Sequence, residues 1–260
     1  MSYVLENRAE AERLESQSRL RNYLPEQEIE NLQLAPGMRL LDAGCGTGLL
    51  SRILKDRCEE AVIEACDGSV IRVHQARELS CALKHQDIQF FESRLEAIPR
   101  PDNHYDWVVA RYVYEHLENV NAVTHELLRV LKPGGRIRII DFDGIVFNLG
   151  HQNPELAQML EQLRVALRFD LFIGRKIPGI LVNGGFRDCT WTSTIVDFQG
   201  QDLHDEIEQT KQRFNFSMPL FSEIFGSRAR ALSFCEIYLA EMHKPGCSLF
   251  YNKFVVSARK

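Results

Sequence analysis

Leu40-Leu41-Asp42-Ala43-Gly44-Cys45-Gly46-Thr47-Gly48 decides the fold: an apolar strand runs, behind an acidic residue, into a turn with glycine at every second position. Gly44 and Gly46 let the backbone turn sharply and approach a ligand with no Cβ in the way, and Gly48 lets the next helix pack closely on the strand. The helix predicted from Thr47 to Arg57 aims its free N–H groups and the positive end of its dipole at that ligand. A nucleotide-like molecule is expected there. Leu49 stands where a dinucleotide-binding G-x-G-x-x-G has its last glycine, and no P-loop lysine follows, so an NAD-dependent oxidoreductase and an NTPase both lose ground.

Such a loop also occurs as a plain strand-to-helix turn, and the next element separates the two readings. Ala61-Val62-Ile63-Glu64-Ala65-Cys66-Asp67 reads as a second strand ending in a carboxylate, about 20 residues past the turn, where a ribose diol takes a bidentate acceptor. Asp67 is the second anchor of the site, and as an alternative it caps the helix that begins near Ser69.

These residues resemble the class I S-adenosylmethionine-dependent methyltransferases, in the small-molecule branch that includes the quinone-type methyltransferases. The resemblance rests on Asp42 to Gly48, on Asp67, on Glu96-Ala97-Ile98-Pro99 with Pro101 to Asp106, and on Leu131-Lys132-Pro133-Gly134-Gly135, in order over roughly residues 38 to 141. It implies an α/β fold: a doubly wound, mostly parallel seven-stranded sheet, Rossmann-like, with an N-terminal helical cap and a helical insertion before the last strand. It implies S-adenosylmethionine as cofactor and S-adenosylhomocysteine as product, bound by Asp42, Gly44, Cys45, Gly46, Asp67, Gly68, Arg94, Leu95 and Arg111. Where the branch has an acidic residue on the adenine amino group this chain has Arg94, which leaves the Leu95 backbone as an adenine contact. Glu12-Arg13-Leu14-x-x-Gln17 resembles N-terminal segments of the branch, with Arg13 and Gln17 on one helical face, and Gln17 is a candidate for the methionyl carboxylate. A solvated charged face is the other reading of that segment.

The chain of 260 residues, with 45% hydrophobic residues, suits one elaborated domain. Within it, residues 1–35 are the expected cap, 36–145 the cofactor-binding half and 146–260 the acceptor half, with the insertion at 201–243. A net charge of −5 and no dense basic run argue against nucleic acid. The expected partner is a small-molecule acceptor. Seven cysteines with no C-x-x-C pair fit reduced thiols and a cytoplasmic setting. Cys45 suits the turn by its small size better than it suits nucleophilic attack. Neither a long apolar run nor a signal-like N-terminus is present, so no membrane insertion is expected.

Residues 38 to 141 alternate strand and helix: Met38 to Ala43, Thr47 to Arg57, Ala61 to Cys66, Ser69 to Cys81, Ile88 to Glu92, Tyr105 to Arg111, Val120 to Val130 and Arg136 to Asp141. That order predicts a parallel sheet covered on both faces, its ligand outside the carboxyl ends of the strands. Beyond it, Pro154 to Phe169 carries Leu156, Leu160, Leu163 and Leu167 on one helical stripe, suited to a lid or a homodimer contact. Gln201 to Phe216 and Pro219 to His243 read as the inserted helices, and Leu249 to Ala258 as a closing antiparallel strand at the sheet edge. Phe214, Phe216, Phe221 and Phe225 belong either to an acceptor pocket or, more commonly for such stripes, to the core.

Methyl transfer from a sulfonium needs positioning first, and a base only when the acceptor proton is held tightly. No Asn/Asp/Ser-Pro-Pro-Tyr/Phe tetrad follows the fourth strand, where enzymes that methylate amines of nucleic acids and glutamine resemble one another, which argues against a nucleobase amine; an oxygen or carbon acceptor is preferred over nitrogen. His116 is the candidate general base, because an imidazole suits proton removal at neutral pH. Tyr112, Tyr114, Glu115, Asp141 and Asp143 lie near the same place. Two aspartates make a poor Mg²⁺ site, and no metal is expected. The rival reading is a non-catalytic relative that binds the cofactor for sensing.

Overall fold

The computed structural model describes Glu15, Tyr23 and residues 25–260. Most of the expected N-terminal cap, Arg13 and Gln17 included, lies outside the described residues. A short helix, α1 (Pro25–Glu28), precedes the sheet. Seven strands follow: β1 (Arg39–Ala43), β2 (Val62–Asp67), β3 (Gln89–Glu92), β4 (Tyr105–Arg111), β5 (Leu131–Asp143), β6 (Arg187–Phe198) and β7 (Leu249–Arg259). They lie in the order β3-β2-β1-β4-β5-β7-β6, and all neighbours pair in parallel until β7, which is antiparallel to both β5 and β6. The doubly wound sheet is therefore as expected. The closing strand is not at the edge: β7 is inserted between β5 and β6, and β6 is the edge strand.

Both faces of the central strands are buried, which is why they read as near-continuous apolar runs. Leu41, Ala43, Val108, Ala110 and Ile139 pack beneath α4 (Val120–Val130) and α6 (Ile177–Asn183). Leu40, Ile63, Ala65 and Val109 pack against α2 (Leu49–Arg57) and α3 (Val70–Ala82) on the other face. A third core joins Phe142 and Tyr251 of the sheet to α5 (Pro154–Ala166), α7 (Gly200–Phe225) and α8 (Arg228–Met242).

The inserted pair divides later than Pro219 suggested. Helix α7 runs through Pro219 and stops at Gly226, whose φ of +79° closes it, and Ser227 then caps α8 by accepting from Arg230 N. Phe214, Phe221 and Phe225 are core residues, gathered around Phe234 with ring centroids 5.0 to 5.5 Å apart. The apolar stripe of α5, Leu156, Met159, Leu160 and Leu163, is buried in this same core, so it holds the insertion in place and is not a lid face.

Candidate functional site

The strand order reverses between β1 and β4, the position where doubly wound sheets open a crevice for ligands. The glycine loop sits there. Gly44, Gly46 and Gly48 all have left-handed backbones, with φ of +78°, +54° and +77°. Two of them are closed in by protein: a Cβ on Gly44 would stand 2.6 Å from a Val113 methyl, and one on Gly48 would stand 2.8 Å from the Phe90 ring. Gly46 differs. Among the described residues, apart from its own chain neighbours, no atom lies within 4 Å of where its Cβ would be, so its missing side chain leaves open room.

Asp67, at the end of β2, ties this loop to the next helix. Its Oδ2 accepts from Gly46 N and its Oδ1 from Ser69 N, both at 2.9 Å, while Ser69 caps α3 through its own hydroxyl. Gly44 N and Cys45 N donate to the Cys66 carbonyl at 2.8 and 2.9 Å. One carboxylate thus faces the crevice with the loop already folded around it. Helix α2 starts at Leu49, two residues later than expected, because Gly48 takes the left-handed N-cap position.

Asp42 is buried beneath the loop and accepts the Ser51 hydroxyl at 2.5 Å. Burial, opposed by that hydroxyl and reinforced by the Asp67 charge, pushes its carboxyl up to about 6. A carboxyl harder to ionise in the folded than in the unfolded chain binds more protons when folded. Its contribution to stability is therefore greatest below the unfolded value of 3.8 and is lost as pH rises through about 6. A shift of this size corresponds to roughly 3 kcal/mol. Between pH 4.5 and 7.5, urea unfolding of Asp42→Asn will show a smaller fall in stability than the parent chain, and parallel curves would contradict the assignment. Burial also drives the Cys45 thiol well above its ordinary value, with Asp42 and Asp67 adding to the effect, so this cysteine is a packing residue and not a nucleophile.

The remaining candidates divide by what their side chains touch. Arg111 is partly buried and directs its guanidinium to Glu28 at 2.5 Å and to the Tyr23 carbonyl at 2.9 Å. Leu95 is buried in the core with Ala43 and Val113, which leaves its backbone as its contribution to a ligand site. Arg94 is exposed and pairs with Glu96 at 3.3 Å. Gly68 follows Asp67 with the Ser93 carbonyl 4.0 Å from its Cβ position.

His116 lies on the turn after β4, exposed, its Nε2 3.6 Å from Glu115 Oε1 and its ring edge-on to Phe169 at 6.3 Å. Asp141 shapes that turn from β5: its carboxylate accepts from Tyr114 N, Glu115 N and Phe142 N. Asp143 holds Arg175, docking the segment before α6. Both aspartates are fully buried and engaged as structural anchors, which removes them as bases or metal ligands, and among the described residues no three potential metal ligands cluster. Tyr114 is likewise fully buried on Thr124. Tyr112, strained at φ +57°, donates its hydroxyl to Glu28 at 2.8 Å and stacks on Phe142.

Residues 41–139 match the family model described as a methyltransferase domain. That stretch is similar to methyltransferase domains. The ubiquinone/menaquinone biosynthesis C-methyltransferase UbiE of Shewanella pealeana is 30% identical over 118 residues, which are 44% of this chain and 46% of that protein. The chain thus spans about half the length of the curated relatives it matches. The [4+2]-cyclase SpnF superposes with a TM-score of 0.62 at 20% identity over 92% of this chain and 80% of that one. The phosphoethanolamine N-methyltransferase 2 of Haemonchus contortus, solved with phosphomonomethylethanolamine and S-adenosylhomocysteine, does so with 0.62 at 18% over 99% and 60%. The matched stretch of the methyltransferase domain begins in β1 and ends in β5, so it contains the glycine loop, Asp67 and His116.

Sequence reasoning missed Glu15 and Glu28. Glu15 accepts from the Thr47 hydroxyl at 2.6 Å and from Arg52 at 2.8 Å, which ties its own carboxylate to the loop and to α2. Glu28 joins Arg111, Tyr112 and Lys253. Both sit in charged stretches that read as solvated faces, and no local pattern marks them.

Proposed function

We propose that this chain transfers a methyl group from S-adenosylmethionine to a small organic acceptor, an oxygen or carbon nucleophile, by in-line displacement. The observation that carries this is the pairing of the Asp67 carboxylate with Gly46 N at the point where the strand order reverses, with open room in front of Gly46. Asp67 is placed to take ribose hydroxyls, the Gly44 to Gly46 backbone to pass the amino-acid moiety, and the Leu95 backbone to meet the base. When bound, the cofactor supplies a sulfonium with an excellent leaving group. The protein's work is then to hold the acceptor atom in line, to keep water away, and, through His116, to take the acceptor's proton.

Two groups of similar proteins support the reading: those named C-methyltransferases are about 30% identical over 118 residues, and a named N-methyltransferase of the same fold was solved with S-adenosylhomocysteine. The cyclase of the same fold keeps a second reading open, a chain that uses this crevice without transferring methyl. Production of S-adenosylhomocysteine with a metabolite extract, together with a mass gain of one CH₂ in a product, separates the two.

The cofactor assignment has its own test. Asp67→Ala will weaken S-adenosylhomocysteine binding by about 2 to 3 kcal/mol in calorimetry, since it removes a charge-assisted acceptor for both ribose hydroxyls. Gly46→Val will be at least as harmful, because its side chain fills the open room and its backbone must adopt a positive φ. Unchanged affinity in a folded Asp67→Ala protein would sink the assignment.

A further inference from the structure

Edge strand β6 presents an outer row of N–H and C=O groups that pairs with no strand among the described residues. Folded proteins blunt such edges with lysine, proline or charge. Here Cys189 to Val196 contains none of these, and Thr190 to Ile195 are exposed on both faces of the strand. Trp191 and Ile195 are 56% and 65% exposed, unusual for side chains of their size. The regular part of the strand is bracketed by Asp188, whose φ of +50° marks a break in the pairing with β7, and by Asp197.

We propose that β6 pairs antiparallel with β6 of a second copy of this chain, about a two-fold axis at Ser193, so that two seven-stranded sheets become one. Three observations select this occupant. Outward-facing backbone groups recur at alternate residues, so paired positions must have the same parity, and an axis through a residue is required. About Ser193 the strand is self-complementary: Trp191 meets the partner's Ile195, Thr192 meets the partner's Thr194, and Thr190 meets the partner's Val196. These are aromatic and β-branched cross-strand pairs of the stabilising kind. The charge pattern also chooses the direction. Arg187 stands at one end, where Asp188 is already paired with Arg259 at 3.4 Å, and Asp197 stands at the other. Antiparallel pairing brings the basic end to the partner's acidic end, whereas parallel pairing sets Asp197 against the partner's Asp197.

On the Trp191 face the row continues inward, since Ser193 pairs with Phe254 and the Trp191 and Phe254 rings lie 5.8 Å apart. A strand edge with two short side-chain rows covers less than the ~800 Å² per partner of a standard interface, so the dimer is weak, with Kd on the order of 10 to 100 µM.

Sedimentation equilibrium of the full chain across that range will show monomer and dimer in exchange, and Trp191→Lys will raise Kd at least tenfold with an unchanged circular dichroism spectrum. Oxidation of Ser193→Cys will give a thiol-reversible covalent dimer that neither the parent nor Thr190→Cys gives, since position 190 lies far from its own copy in this register. A monomer throughout the range overturns the proposal. So does a dimer that ignores Trp191→Lys or fails to cross-link through position 193, which would place the contact elsewhere.

Discussion

Glu28→Ala will lower the unfolding free energy by about 3 to 5 kcal/mol, the cost of leaving buried cations without their counter-charge. The Glu28 carboxylate accepts from Arg111, Lys253 and the Tyr112 hydroxyl in a position where almost none of its side chain meets water. Burial alone would raise this carboxyl, but Arg111 and Lys253 together hold it below its ordinary value. The stability it contributes is present above the unfolded value of 4.5 and is lost as pH falls through the lower folded value. Glu28→Gln keeps the shape and an acceptor while losing the charge, so its cost will fall between the two. Urea titration at neutral pH measures both, and a loss under about 1 kcal/mol for the alanine variant would show that water or another acid serves Arg111 and Lys253 instead.

His116→Ala will lower turnover by about 10² to 10⁴ while S-adenosylhomocysteine binds as before, and the pH–rate profile will lose its acid limb. The geometry favours this residue over its neighbours. Tyr114 is fully buried on Thr124, and Asp141 is occupied by three backbone N–H groups. His116 alone among these three is exposed, with a carboxylate, Glu115, 3.6 Å from its Nε2. The assay uses the acceptor found by the mass-gain screen. Turnover within a few-fold of the parent would place the base elsewhere or show that none is needed, and a nitrogen or thiolate acceptor would then be the better assignment.

What was legible in the sequence was local. Gly44, Gly46 and Gly48 announce positive φ because few other residues tolerate it, and the two-sided apolar runs of β1, β2 and β4 announce a sheet covered by helices. Asp67 stands out in the sequence by its distance from the loop. What stayed hidden depends on pairing across long stretches of chain. Glu28 reads as one more acid in Gln27-Glu28-Ile29-Glu30, yet its partners lie at 111, 112 and 253. Glu206 reads as part of a charged helix, yet it is fully buried and takes the hydroxyls of Tyr23 and Tyr251 at 3.0 and 2.9 Å together with Arg213. Asp141 and Asp143 had the composition of a catalytic pair, and only their backbone and Arg175 partners show them to be anchors. Pro219 misled because a proline breaks the bonding of a helix without always ending it.

The position of β7 has a consequence for how the molecule is made. The last of the described strands, β7, is an inner strand of the sheet, bonded on one side to β5 and on the other to β6. As the polypeptide leaves the ribosome, β1 to β5 can assemble from contacts within residues 39 to 143, but the outer side of β5 stays open, and β6 has no neighbour, until Leu249–Arg259 has been synthesised. During that interval the outer edge of β5 and both edges of β6 are unpaired on a nascent chain, the condition under which chaperones are most useful. Translation of the final strand therefore sets the moment at which the acceptor side takes its shape.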